Sequence, residues 1–218
     1  MPKIHTILMA DVISSGEHSG RALSNHLKRL TAAANREFAN GILSPLTVTL
    51  GDEFQGVLSS PRVGMELVLW IEHRLREKPL VEKQQICPYQ LRFALHQGAI
   101  DTSLNFERAH AMLGPGLTRA RKLLNERLRN TSRLRVELKD EAKSRRLRAC
   151  FDVLDAIGRD FKPTDYPFIE ALLRNHDIKK LERKFQRHRT SIERRRRTYK
   201  IDACQTLEAL IRDLVTEP

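Results

Sequence analysis

The strongest constraint on this chain is a change in the period of its apolar residues. Strand-like runs alternate with helical stripes through the first half, and after Phe161 only helical stripes remain. Residues 4–10 form a short apolar run ending at Asp11, which predicts a buried strand. Leu23, Leu27, Leu30, Ala34 and Phe38 recur at helical spacing, with Gly41 and Pro45 just beyond. Residues 46–50 and 54–58 are β-prone and divided by Gly51-Asp52-Glu53, a tight-hairpin pattern. Pro61 opens a second helix with Val63, Leu67, Trp70, Ile71 and Leu75 inward. Residues 89–95 predict a strand, broken at Gly98 and resumed over 99–101. Gly114-Pro115-Gly116 introduces a basic helix through about Arg129, and residues 134–138 a further strand. The order β-α-β-β-α-β is ferredoxin-like, so the expected class is α/β, more strictly α+β, with elements appended. Lys162-Pro163-Thr164 has linker composition, which divides residues 1–161 from an all-helical unit of residues 162–218.

The formal net charge of +12 is unevenly spread: residues 1–115 are near neutral, while 116–150 carry +8 and 174–200 carry +9. Two basic blocks favour a polyanionic partner, DNA first among them. At 40% hydrophobic residues the chain has enough apolar material for a core. No window approaches the roughly 18 apolar residues of a membrane span, so no membrane partner is expected. No cationic-then-apolar leader opens the sequence. Cys87, Cys150 and Cys204 are odd in number and far apart, which predicts reduced thiols and a cytoplasmic protein.

Asp11 stands where an apolar strand ends, and Val12-Ile13-Ser14-Ser15-Gly16 leads toward a helix. Backbone amides of Ile13, Ser14 and Ser15 in such a turn can cradle phosphate oxygens. Asp52 and Glu53 occupy the hairpin, which neighbours the first strand in this topology. Asp11, Asp52 and Glu53 can therefore converge on one divalent cation, their hard oxygens suiting Mg²⁺ or Mn²⁺. Such an ion would hold a triphosphate and activate a nucleotide hydroxyl. The competing reading is that Asp11 caps a turn and Gly51-Asp52 merely shapes the hairpin.

Met9-Ala10-Asp11-Val12-Ile13-Ser14-Ser15 and Thr47-Val48-Thr49-Leu50-Gly51-Asp52-Glu53-Phe54-Gln55-Gly56 resemble the SatD family of bacterial proteins. Arg92-Phe93-Ala94-Leu95-His96-Gln97-Gly98 and Gly114-Pro115-Gly116-Leu117-Thr118-Arg119-Ala120-Arg121 fit the same family, so the resemblance covers most of residues 1–160. More distantly, the layout is similar to class III nucleotide cyclases and diguanylate-cyclase palms. That resemblance implies that Asp11 and Asp52 are metal-binding aspartates and that His96-Gln97-Gly98 matches a strand-end His-x-Gly. It also implies an Asn and an Arg four residues apart on the later helix. Aligned on Gly114, those positions hold Thr118 and Lys122, with Arg121 one residue away, and the purine-selecting Lys aligns with Val48. A palm so altered is expected to bind a nucleoside triphosphate or cyclic nucleotide without turning it over. Arg121 and Lys122 are candidate phosphate clamps, against the alternative of a solvated basic face, and His96 is expected to be structural.

Beyond the linker, Phe168, Ile169, Leu172 and Leu173 form an apolar stripe, and Asn175-His176-Asp177 breaks it with Asp177 as the next cap. Ile178, Leu181 and Phe185 turn inward, Gln186-Arg187-His188-Arg189 connects, and Thr190-Ser191-Ile192-Glu193 has the form of a capping box. A short helix, a turn and a capped basic helix predict a helix-turn-helix, which also accompanies many SatD-like domains. Arg189, Ser191, Arg194 and Arg195 are then candidates for base contact, and Lys179, Lys180, Arg183 and Arg187 for phosphate contact. The last helix is expected to continue through Ile201, Leu207, Leu210, Ile211 and Leu214, a series suited to packing or to a homodimer. The expected function is DNA binding, regulatory in kind, with the palm sensing a metal-bound nucleotide. The rivals are an active nucleotidyl cyclase or related phosphotransfer enzyme, and an adaptor whose palm only dimerises.

Overall fold

The computed structural model describes residues 3–109, 112–126, 132–175 and 177–216. Strand β1 (Ile4–Val12) lies at the centre of a five-stranded sheet. Its Leu8, Ala10 and Val12 enter one apolar core, and Ile7 and Met9 enter another on the opposite face. A strand covered on both faces needs no polar side, which is why it reads as an apolar run. Helix α1 (Gly20–Glu37) buries Leu23, Leu27, Leu30 and Ala34, the stripe its spacing predicts. Strands β2 (Ile42–Val48) and β3 (Glu53–Leu58) form the hairpin. Helix α2 (Pro61–Glu77) starts on Ser60, whose hydroxyl accepts the Val63 amide. A small hairpin of β4 (Val81–Glu82) and β5 (Gln85–Ile86) precedes β6 (Leu91–Ala99). Then come α3 (Pro115–Asn125), β7 (Leu134–Glu137) and α4 (Glu141–Gly158). Four further helices follow: α5 (Tyr166–Arg174), α6 (Ile178–Phe185), α7 (Arg189–Thr198) and α8 (Ile201–Thr216).

The sheet order is β2-β3-β1-β6-β7, antiparallel except for the parallel β6–β7 pair. The first strand of the β-α-β-β-α-β unit thus lies between its third and fourth, the ferredoxin-like order, with β7 added outside. Helices α1, α2, α4 and α8 share one core with the sheet, while α3 covers the other face through Leu117, Ala120, Leu123 and Leu124. Helices α5, α6 and α7 close around a third core that includes Phe168, Ile169, Leu172, Leu181 and Ile192.

The helices after Phe161 are bound to the palm by buried charge. His73 of α2 sits between two carboxylates, Nδ1 2.7 Å from Glu170 Oε2 and Nε2 2.9 Å from Glu208 Oε1. Arg76 adds a 2.5 Å contact to Glu170. Ring nitrogens that each face a carboxylate must both donate, so His73 is an imidazolium. The two glutamates hold its pKa up at about 9 against the desolvation that would lower it.

Several boundaries differ from expectation. The first hairpin arm is residues 42–48, and Pro45 is tolerated because β2 is an edge strand with register shifts on both sides of Ser44. Strand β6 runs unbroken through Gly98. Helix α3 ends at Asn125 within the described residues; Arg129, like His176, lies outside them. No capping box forms at Thr190. Helix α7 begins at Arg189 after His188, and the Glu193 carboxylate instead accepts Arg189 Nε at 2.8 Å. The final helix does not continue from α7 either, because Lys200 takes a left-handed turn (φ 49°) before Ile201.

Candidate functional site

Cross-strand register decides which carboxylates meet. Asp11 lies opposite Glu53 on β3 and opposite Arg92 on β6. Residues paired across antiparallel strands share a face, here the face of Ile7 and Met9 that α3 covers. Arg121 of α3 reaches this row, with Nη1 2.5 Å from Glu53 Oε2 and Nη2 3.4 Å from Gln55 Oε1. Gln55 in turn donates Nε2 to the Ala109 carbonyl. Arg135 of β7 donates Nη1 to the carbonyls of Leu123 and Leu124, each at 2.5 Å, and Arg92 donates Nη1 to Leu124 at 3.3 Å. The two guanidiniums thus cap the last turn of α3, where unpaired carbonyls and the negative dipole end gather.

Asp11 is left incomplete. Arg92 Nε is 3.6 Å from Asp11 Oδ1, beyond hydrogen-bond reach, and that oxygen is buried with no donor. Burial raises the Asp11 carboxyl above its usual range; Arg92 pulls it down, and Glu53 and, least, Asp52 push it up. The family resemblance pairs Asp11 with Asp52, but the register pairs it with Glu53. Asp52 shapes the turn, its carbonyl accepting the Val12 amide at 3.0 Å, after Gly51 at φ 85°. Among the described residues no three His, Cys, Asp or Glu side chains converge as a ligand set. Two facing carboxylates with one unpartnered oxygen suit Mg²⁺ or Mn²⁺, which take one or two carboxylates and complete the shell with phosphate oxygens and water.

Of the expected amide cradle, Ile13 is already used, donating to the Gln90 carbonyl at 2.9 Å. Ser14 and Ser15 remain, Ser14 in the left-handed conformation (φ 56°) found in anion-binding nests. Thr118 and Lys122 are exposed on α3, and the Thr118 hydroxyl returns to the Gly114 carbonyl at 3.3 Å. The glycines of both quoted strings seat α3 on β6. A Cβ on Gly98 would fall 2.5 Å from Gly116 Cα, and one on Gly116 would fall 2.7 Å from the Gly98 carbonyl carbon. His96 Nδ1 lies 3.2 Å from the Glu137 carbonyl and 3.3 Å from its carboxylate. Arg92, Gln55 and Arg135 belong to the site without any prior expectation. Their signal is positional, visible only once the register places them on Asp11's face.

The candidate DNA residues divide in two. Lys179, Lys180, Arg183, Arg189 and Arg194 are exposed, with Lys180 3.7 Å from Asp177 and Arg189 paired to Glu193. Arg195 and Arg187 are half-buried and paired to other residues of the chain. Arg195 Nη1 is 2.7 Å from Asp165 Oδ2, and Arg187 lies over the Phe168 ring at 4.6 Å, 3.9 Å from Asp165. Ser191 is half-buried, its amide donating to the His188 carbonyl at 2.9 Å. All three cysteines are free thiols, and no helix of the described residues is long and apolar enough to cross a membrane.

Among solved structures, the chain is similar to the dimeric guanylyl cyclase domain of the RhoGC fusion protein from the aquatic fungus Blastocladiella emersonii. Identity there is 14%, over 56% of this chain and 73% of that one, with a TM-score of 0.42. The guanylate cyclase domain of RhGC from Catenaria anguillulae, in complex with GTP, is 16% identical over 56% and 71%, with a TM-score of 0.39. The adenylyl cyclase CyaB from P. aeruginosa is 12% identical over 57% and 72%, with a TM-score of 0.35. Scores this low add nothing to the ferredoxin-like order, which stands on the strand register. No curated protein matches the chain. The sequence profile of the SatD family matches residues 5–201, nearly the full length of the α+β palm and its helical extension, and the chain belongs to that family.

Proposed function

We propose that the palm binds a nucleoside phosphate together with Mg²⁺ or Mn²⁺ at the Asp11 end of β1, and that the C-terminal helices bind DNA. Residues 1–161 carry the first task and residues 162–218 the second. The buried, donorless Asp11 Oδ1 opposite Glu53 is the observation that supports the palm assignment. The cation supplies the charge that holds phosphate oxygens against two carboxylates. Asp11 and Glu53 hold the ion, the Ser14 and Ser15 amides meet phosphate, and Arg92 and Arg135 fix the end of α3 beside them. By resemblance, turnover as a cyclase needs a ribose-orienting Asn and a transition-state Arg on α3. By resemblance those positions hold Thr118 and Lys122, so the palm binds without cyclising. Titration with Mn²⁺–ATP and Mn²⁺–GTP tests this: Asp11→Asn should abolish binding while circular dichroism stays native. Unchanged titrations would remove the site, and a cyclic product by mass spectrometry would replace binding with catalysis.

For DNA binding the supporting observation is the α6–α7 junction. Leu181 and Ile192 share one core, and the three-residue connection places Gln186 in a left-handed conformation (φ 50°), a position glycine often fills in helix-turn-helix turns. Arg194 and Ser191 then read bases, while Lys179, Lys180 and Arg183 meet phosphates. Selection from a random duplex pool should enrich one sequence, and Arg194→Ala should weaken that duplex more than an arbitrary one. Lys180→Ala should weaken both equally and reduce the salt slope by about 0.9. A pool with no enriched sequence would sink specific recognition.

A further inference from the structure

We infer that Arg121 is a removable placeholder for the cation: it neutralises Glu53 in the metal-free palm and transfers to the phosphates when the ion arrives. Arg121 can play this part only if the palm binds a cation as proposed above. The consequence is synergy, with cation and phosphate binding together far better than the cation alone.

Carboxylates directly opposite on antiparallel strands repel, and Asp11 and Glu53 are such a pair. The chain meets this with guanidiniums, Arg121 at 2.5 Å from Glu53 and Arg92 at 3.6 Å from Asp11. The two are held differently: Arg121 rests on its ion pair to Glu53, Arg92 mainly on a backbone carbonyl. Arg92 is also tied to the α3 terminus through Leu124, whereas the second contact of Arg121, to Gln55, is long at 3.4 Å. The Arg121 side chain is 38% exposed, against 29% for Arg92 and 7% for Arg133, which is locked between Glu72 and Asp155. Arg121 therefore has solvent to swing into. A divalent ion bound to Glu53 would meet the guanidinium's charge at contact distance, so the two exclude each other there. Once released, the planar fork of Arg121 matches phosphate oxygens bidentately beside the same ion.

The full-length chain tests this with two probes, MnCl₂ alone and MnCl₂ with tripolyphosphate, reading free Mn²⁺ by electron paramagnetic resonance. R121Q should bind Mn²⁺ alone about two- to fivefold more tightly, the scale of a part-exposed ion pair removed as competitor. The same variant should bind Mn²⁺–tripolyphosphate about tenfold more weakly, having lost a charge-assisted phosphate contact. R121K keeps the charge near Glu53 but loses the fork, so its Mn²⁺ affinity should match wild type while its tripolyphosphate affinity falls. If R121Q binds Mn²⁺ alone no more tightly while Asp11→Asn still abolishes binding, the placeholder role is wrong and the metal site stands. If wild type binds Mn²⁺ under neither condition, the site and the placeholder fall together. Should R121Q fail to fold, wild-type tripolyphosphate affinity in R121K overturns the inference on its own.

Discussion

Replacing His73 with Asn should remove an alkaline-sensitive part of this protein's stability. Both ring nitrogens face carboxylates, Glu170 from α5 and Glu208 from α8, with Arg76 beside Glu170 and Arg212 beside Glu208. The folded pKa of about 9 against an ordinary 6.5 corresponds to about 3 kcal/mol favouring the imidazolium in the fold. A group whose folded pKa is raised contributes fully below its unfolded pKa. The contribution is present below about pH 6.5 and is lost as pH rises through about 9. Urea denaturation of wild type at pH 6 and pH 10 should therefore show a loss of this order, with the difference between wild type and His73→Asn shrinking across the range. The comparison of two proteins matters, because Cys204 and Tyr89, both raised by burial, also destabilise the fold in alkali. At pH 6 the variant should be less stable by roughly 3 kcal/mol or more, since two buried glutamates lose their partner. Parallel pH profiles for wild type and His73→Asn would refute the argument.

Gly116→Ala should destabilise by about 1–3 kcal/mol in the same assay, because its Cβ would meet the backbone of Gly98 and Ala99, which cannot step aside. Gln186→Gly should stabilise by up to about 1 kcal/mol by relieving the left-handed conformation, whereas Gln186→Val should destabilise. Arg133→Met should cost about 3–5 kcal/mol, as Asp155 loses a 2.6 Å contact and Glu72 a 2.9 Å one, both measurable as a fall in urea midpoint.

The elements legible in the sequence are those whose apolar residues recur as one stripe from the first turn, even where a polar residue is buried beside it. Helix α5 is readable because Phe168, Ile169, Leu172 and Leu173 fall on one face, and α1 for the same reason. Helix α4 shows its stripe only from Leu147 on: its first half is dominated by Lys143, Arg145, Arg146 and Arg148, and Ser144 and Asp155 are buried among its apolar residues. Asp155 can be buried only because Arg133 and Arg159 satisfy it, a fact of tertiary structure. The same divide runs through the site. Asp11 announces itself at a strand end, and Glu53 and Arg121 are each visible as charged residues in quoted strings. That Glu53 faces Asp11 and that Arg121 grips Glu53 depends on strand register and on α3 lying over that face. Local pattern carries neither.

Helix α8 has a consequence for how the chain is made. Its Ile211 and Leu214 lie in the same core as Leu147 and Phe151 of α4 and the inner face of the sheet. On the ribosome, every strand of the palm emerges before the residues that seal that core. Until α8 is made, the part of that core beneath Ile211 and Leu214 lacks its cover, a window in which chaperone binding competes with aggregation. A premature stop codon just ahead of α8 would for this reason damage the proposed nucleotide-binding half, whose own residues would all be present.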